Sequence, residues 1–169
     1  MKYSLILVSL LLFSCNELTE ENNYLESNSN WKQRKTDHIN LDSLTTGSTY
    51  LSVYSHIYSN TEHEDISLGA TVSIKNPNRT DTIFVTSAEY FDTHGKSLRN
   101  YANSPVYVSP METVEIIINR LDKEGGSGAN FIFEWKKKDS SYEPFFECVM
   151  ISSDASRGYS FTTQGYRLE

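Results

Sequence analysis

The sequence predicts an all-β domain: an antiparallel, immunoglobulin-like β-sandwich of about seven to eight strands, with an antiparallel β-barrel as the alternative that strand number leaves open. Three observations carry this expectation. Residues 66–74 read Ile-Ser-Leu-Gly-Ala-Thr-Val-Ser-Ile, apolar at every second position, the period of an extended chain with one buried face. The chain holds 11 Tyr and 8 Phe, side chains that suit a pleated core. Turn signals recur at short intervals beyond residue 50, and no stretch there has a convincing helical period.

In chain order, 169 residues divide into a leader at 1–14, a lipidated Cys with a flexible, disordered tether at 15–49, and one sandwich domain at 50–169. Lys2 precedes the apolar run 4–13. That run is too short for a membrane-spanning helix, which needs about 20 residues, and fits the core of a signal peptide. Leu12-Phe13-Ser14-Cys15 resembles the lipobox of bacterial lipoproteins, with Phe13 bulkier than the usual residue. The resemblance implies that the Cys15 sulfur carries acyl chains, each buried methylene contributing about 0.8 kcal/mol to the anchor. The alternative is an ordinary secretory leader in which Cys15 is incidental. Residues 16–49 are rich in Asn, Glu, Ser and Thr, too polar to offset the entropy of ordering. Acidic residues soon after Cys15, with Asn16 in place of a retention-signal Asp, favour the outer membrane on either its periplasmic or its surface side. Trp31, Leu41 and Leu44 are candidates to dock onto the domain.

Residues 50–58 alternate Leu51, Val53 and Ile57 against Tyr50, Ser52, Tyr54, His56 and Tyr58, and read as one strand. The central strand 66–74 follows. Asn76-Pro77-Asn78-Arg79 is a turn signal, and 82–91 is expected to pair antiparallel with 66–74. Asp92-Thr93-His94-Gly95-Lys96 reads as a hairpin loop with Gly95 in the left-handed region. Short strands follow at 98–101 and 106–108. Ser109-Pro110-Met111-Glu112 turns the chain into 114–119. Phe131, Phe133 and Trp135 share one face and belong to the core; 145–152 reads as a central strand, and 159–168 closes the series.

The formal net charge is −7, which becomes −8 once a leader carrying only Lys2 is removed. With no basic footprint beyond Lys136-Lys137-Lys138, which reads as a solvated strand end, nucleic acid is excluded as a partner. The 2 Cys form no disulfide framework. Cys148 lies in an apolar run, where a thiol is a small hydrophobe with a raised pKa.

Val53-Tyr54-Ser55-His56-Ile57-Tyr58, Ser73-Ile74-Lys75-Asn76, the run Glu89-Tyr90-Phe91-Asp92-Thr93-His94-Gly95-Lys96, the Gly-rich run 125–131 with Trp135, and Ser160-Phe161-Thr162 resemble the signature stretches of one bacterial family of exported and lipoprotein sequences, the domain of unknown function DUF3124. The resemblance spans about 50–166. It implies no activity and no catalytic residue.

Three constellations are candidates for contact. Tyr50, Tyr54 and Tyr58, four apart on one expected strand, would share a face at roughly 13 Å intervals and, with His56, offer stacking surface to a glycan or protein; the alternative is that this face is covered. The loop Asp122, Glu124, Gly125, Gly126, Ser127, Gly128 and Asn130 offers either an anion-binding nest of glycine amides or oxygens for a hard cation; the alternative is a bulged connection needing positive φ. His56 and His63, seven apart across an expected hairpin with Glu62, Glu64 and Asp65, offer a metal or acid–base pair; the alternative is a polar loop with His56 hydrogen-bonded among tyrosines. Neither a Gly-x-Ser-x-Gly elbow nor a P-loop occurs. The sequence therefore predicts a lipid-anchored cell-envelope protein without metal or cofactor, a binding module for protein or glycan. An envelope hydrolase and a structural subunit of an outer-membrane assembly are the rivals.

Overall fold

Alternating sequence becomes paired strand throughout the computed structural model, which describes residues 31, 33–36, 39–154 and 157–168. Cys15, His38 and residues 16–30 lie outside the described residues. In chain order the strands are β1 (Thr45–Ser52), β2 (His56–Tyr58), β3 (Asp65–Ser67), β4 (Gly69–Lys75), β5 (Ile83–Phe91), β6 (Ser97–Asn100), β7 (Val106–Val108) and β8 (Thr113–Ile118). A 3-10 turn, Gly126–Gly128, precedes β9 (Asn130–Lys137), β10 (Phe145–Asp154), β11 (Arg157–Gln164) and β12 (Tyr166–Arg167).

Two antiparallel sheets result, and they do not close into a barrel. The first runs β12-β1-β9-β5-β6, with β7 also on β5; the second runs β11-β10-β4-β8; β2 and β3 form a separate hairpin. Leu51, Val85, Tyr90, Phe131, Phe133 and Trp135 of the first sheet meet Val72, Ile74, Ile116, Phe146, Cys148 and Met150 of the second, all buried. Phe133 stacks on Phe131 at 5.2 Å and, across the sheets, on Phe146 at 4.5 Å. Each such side chain contributes about 1.5–3 kcal/mol by leaving water. The Cys148 thiol, desolvated here, has its pKa pushed up to about 12.

Several expectations are corrected. Strands β4 and β5 do not pair: β4 lies between β10 and β8, whereas β5 lies beside β9. The Asn-Pro-Asn segment is thus a crossing between sheets. Its centre is the buried Asn76, which donates to the Asp81 and Val108 carbonyls at 2.8 and 2.9 Å. The Asn76 Oδ1 accepts the backbone and side-chain N–H groups of Asn78. Residues 66–74 divide at Leu68, with Ile66 in the hairpin and Ala70, Val72 and Ile74 in the core. Residues 50–58 are likewise not one strand, because the chain leaves the first sheet after Ser52 and Leu68 N–H donates to the Ser55 carbonyl. There are more strands than expected because β2, β3, β6, β7 and β12 are each four residues or fewer.

Packing also begins before residue 50. Strand β1 starts at Thr45, Trp31 is buried, and its indole N–H donates to the Glu115 carbonyl on the outer side of β8. Lys35 bridges to Val106, and Arg34 grips Glu112 through two bonds of 2.8 and 2.7 Å. This segment closes the side of the sandwich between β7 and β8. The Lys triplet is solvated only in part: Lys138 is exposed and reaches Asp81, but Lys137 is buried with its ammonium on the carbonyls of Lys138 and Asp139, and the half-buried Lys136 reaches the Leu41 carbonyl.

Candidate functional site at one end of the sandwich

The break after Ser52 and the loops 92–96 and 122–130 meet at one end. Val53 N–H donates to the Ala129 carbonyl, Ser55 N–H to Gly126, and Thr93 N–H to Gly125. The Thr93 hydroxyl donates to the Gly125 carbonyl at 3.1 Å and accepts from Gly128 N–H at 2.9 Å. Ser55 and Tyr90 share a buried hydroxyl pair at 3.1 Å, and Tyr90 stacks on Phe131 at 4.8 Å. Burial raises the Tyr90 phenol to about 12, so it stays neutral. Three signature stretches, remote in sequence, thus form one rigid platform.

Glycine is required here by close approach. A Cβ on Gly125 would overlap the Tyr90 hydroxyl and stand 2.7 Å from both Ala129 Cβ and Ser55 Oγ; Gly126 has φ +78° and faces Thr93. Every second loop amide is already committed: Glu124 N–H donates to Asp122, Gly126 N–H to the Lys123 carbonyl and Gly128 N–H to the Thr93 hydroxyl. They therefore present no open nest, and the connection reading accounts for this loop. Asp122 and Glu124 both hold Arg99, each at 2.7 Å. Burial opposes the Arg99 charge, but Tyr101 and these carboxylates outweigh it and hold the guanidinium above its ordinary pKa. Arg99 also lies 5.6 Å over the Tyr90 ring. The carboxylates expected to offer oxygens to a cation serve as the counter-ions of an arginine. Ser127 and Asn130 are half-buried, and Asn130 opens β9.

The tyrosines occupy three settings. Tyr50 sits on β1, opposite Tyr166 of β12. Tyr54 is half-buried in the break, edge-on to Phe161 at 5.9 Å. Tyr58 is 54% exposed on the β2–β3 hairpin. His56 lies edge-on to Tyr58 at 5.6 Å, with a buried Nδ1 that finds no hydrogen-bond partner among the described residues. His63 is exposed beside Glu62 at 3.7 Å. The single row expected from the sequence is therefore replaced by a rim of Tyr54, His56 and Tyr58 beside the platform, with Tyr50 apart from it.

Sequence reasoning missed Ser55, Tyr90, Thr93 and Arg99 as site-forming residues. The first three lie inside signature stretches, which was the available signal; Arg99 has none. Among the described residues no group of three or more His, Cys, Asp or Glu is placed to hold a metal. In the platform's buried pair the Ser55 hydroxyl is bonded to the neutral Tyr90 phenol rather than to a histidine. The arrangement can stack and hydrogen-bond; it lacks a base held on a nucleophile.

A family model described as a protein of unknown function, DUF3124, matches residues 46–168. No curated protein matches the chain. A crystal structure of Thermotoga maritima 1070 is similar at 11% identity and a TM-score of 0.44, covering 71% of this chain and 92% of that one.

Proposed function

We propose, for a chain that belongs to the DUF3124 family of proteins of unknown function, the role of a lipid-anchored cell-envelope protein that binds a protein or a glycan without catalysing a reaction. Acyl chains on Cys15 hold it to the outer membrane, and the end of the sandwich bearing Tyr54, His56 and Tyr58 makes the contact. One observation supports this above the others: three of the signature stretches spend their polar groups on one another to stiffen a platform, beside a rim in which Tyr58 is exposed and Tyr54 and His56 are half-buried. A stiff rim with few rotamers to freeze is what recognition uses, since ordering costs subtract directly from affinity.

The test is carried out on cells making the full chain. Mass spectrometry of the N-terminal peptide is expected to find Cys15 first and acylated, and Cys15→Ser is expected to move the protein out of the membrane pellet. An unmodified Cys15 overturns the anchor. Turnover of an envelope polymer by the purified protein, lost in His56→Ala, overturns the non-catalytic part and favours a hydrolase.

A further inference from the structure

A two-stranded hairpin is marginally stable by itself in water, and β2–β3, with three residues in each strand, pairs with neither sheet. Every residue from 58 to 65 is exposed. The base of the hairpin is fixed, because Ser55 N–H donates to the Gly126 carbonyl and Leu68 N–H to the Ser55 carbonyl, with both residues buried. Beyond that base, Ile57 packs half-buried against the core, and the Lys123 ammonium reaches both Asp65 oxygens at 3.2 and 3.1 Å. His56 opposes closure: its buried Nδ1 has no hydrogen-bond partner among the described residues, and opening would wet it.

Lys123 is well mounted to hold this hairpin. Its neighbours Asp122 and Glu124 both bind Arg99 of β6, and Glu124 N–H donates to Asp122. Alternate side chains of one loop therefore grip the body of the sandwich and the hairpin. The Lys123–Asp65 pair is itself open to solvent, with side chains 50% and 39% exposed. Such a pair is weak and is screened by salt.

We propose that the β2–β3 hairpin is a flap, hinged at Ser55 and Leu68 and caught closed by the Asp65–Lys123 ion pair. Closed, it holds Tyr58 and His56 beside Tyr54, which stays edge-on to Phe161. Open, it carries both away from Tyr54 and disperses the rim. The stiff rim thus belongs to the closed state, and the strength of one exposed ion pair sets how much of that state is populated. That this rim makes the contact rests on the proposed function. The flap itself is read without a partner, so the two can fail separately.

The test is amide hydrogen exchange on the full chain, resolved by residue. The ladder that joins Ser59 to Glu64 and Leu68 to Ser55 makes Ile57 and Ile66 a mutually bonded pair. Their amides are expected to exchange at one common rate, at least about tenfold faster than Val72 in β4. Lys123→Met should raise that rate about two- to fivefold, the range of an exposed ion pair, and leave Val72 unchanged, which also verifies the fold. Asp65→Asn should act alike, and the double variant should go no further. About 0.5 M salt should speed exchange in the parent but not in Lys123→Met. Hairpin amides no faster than Val72 overturn the flap; a rate indifferent to Lys123→Met, or additive effects of the two substitutions, overturns the catch.

Discussion

The two ends of the sandwich are both tied by buried polar groups, but they use them differently. At the end away from the signature loops, Asn76 and Asn78 turn wholly inward. Besides the four bonds of Asn76, Asn78 donates to the Tyr142 carbonyl at 2.9 Å and accepts from Tyr142 N–H at 2.7 Å. The result is a latch that joins the sheet crossing to the β9–β10 connection. At the platform end, Ser55, Tyr90, Thr93 and the glycine loop bond among themselves, yet Tyr58 and His94 stay in water. The same chemistry gives stability at one end and a supported exposed surface at the other.

Substitutions can break or sharpen this contrast, and the largest effect belongs to the latch. Asn76→Ala leaves two carbonyls and the N–H groups of Asn78 without their partner, and is expected to cost about 3–5 kcal/mol in urea unfolding. A loss below about 1 kcal/mol would remove the latch from the account. At the platform, Gly125→Ala is expected to cost about 1–3 kcal/mol by overpacking, with part restored by Tyr90→Phe, which deletes the overlapped hydroxyl. Additive effects of the two substitutions would show that the clash is not with Tyr90.

A smaller effect lies with Glu112, whose pKa is lowered by the Arg34 hydrogen bonds, against burial, and by Ser109 N–H. A carboxyl depressed in the folded state stabilises above its unfolded value, 4.5, and loses that contribution as pH falls through the folded value. The urea midpoint should therefore decline below pH 4.5, and Glu112→Gln should flatten part of the decline. The smallest effect is expected at the exposed side chains of the platform end. Tyr58→Ala and His94→Ala should each change stability by less than about 0.5 kcal/mol, because both side chains are exposed.

What was legible in the sequence was local. Alternation placed Phe131, Phe133 and Trp135 in the core, and the Asp92 loop showed its hairpin, with Gly95 at φ +78° and Asp92 Oδ1 accepting from His94 and Lys96 N–H. Alternation says which face is buried but not which strand lies alongside, so β4 was expected against β5 rather than β10 and β8. Trp31 was ambiguous because one aromatic in a polar segment has no period. Arg99 was invisible because Glu124, 25 residues away, reaches it only through the fold. Lys137 was misplaced because its carbonyl partners come from the turn that follows it.

The contrast between the ends is tested most directly by photo-crosslinking in intact cells from single positions on each. Tyr58 and His94 at the platform end and Tyr142 beside the latch are all exposed, so access is comparable. Adducts to an envelope protein or glycan at Tyr58 and His94, with none at Tyr142, are the predicted result. Adducts of equal yield at Tyr142, or at Tyr142 alone, would contradict the assignment of contact to the signature loops.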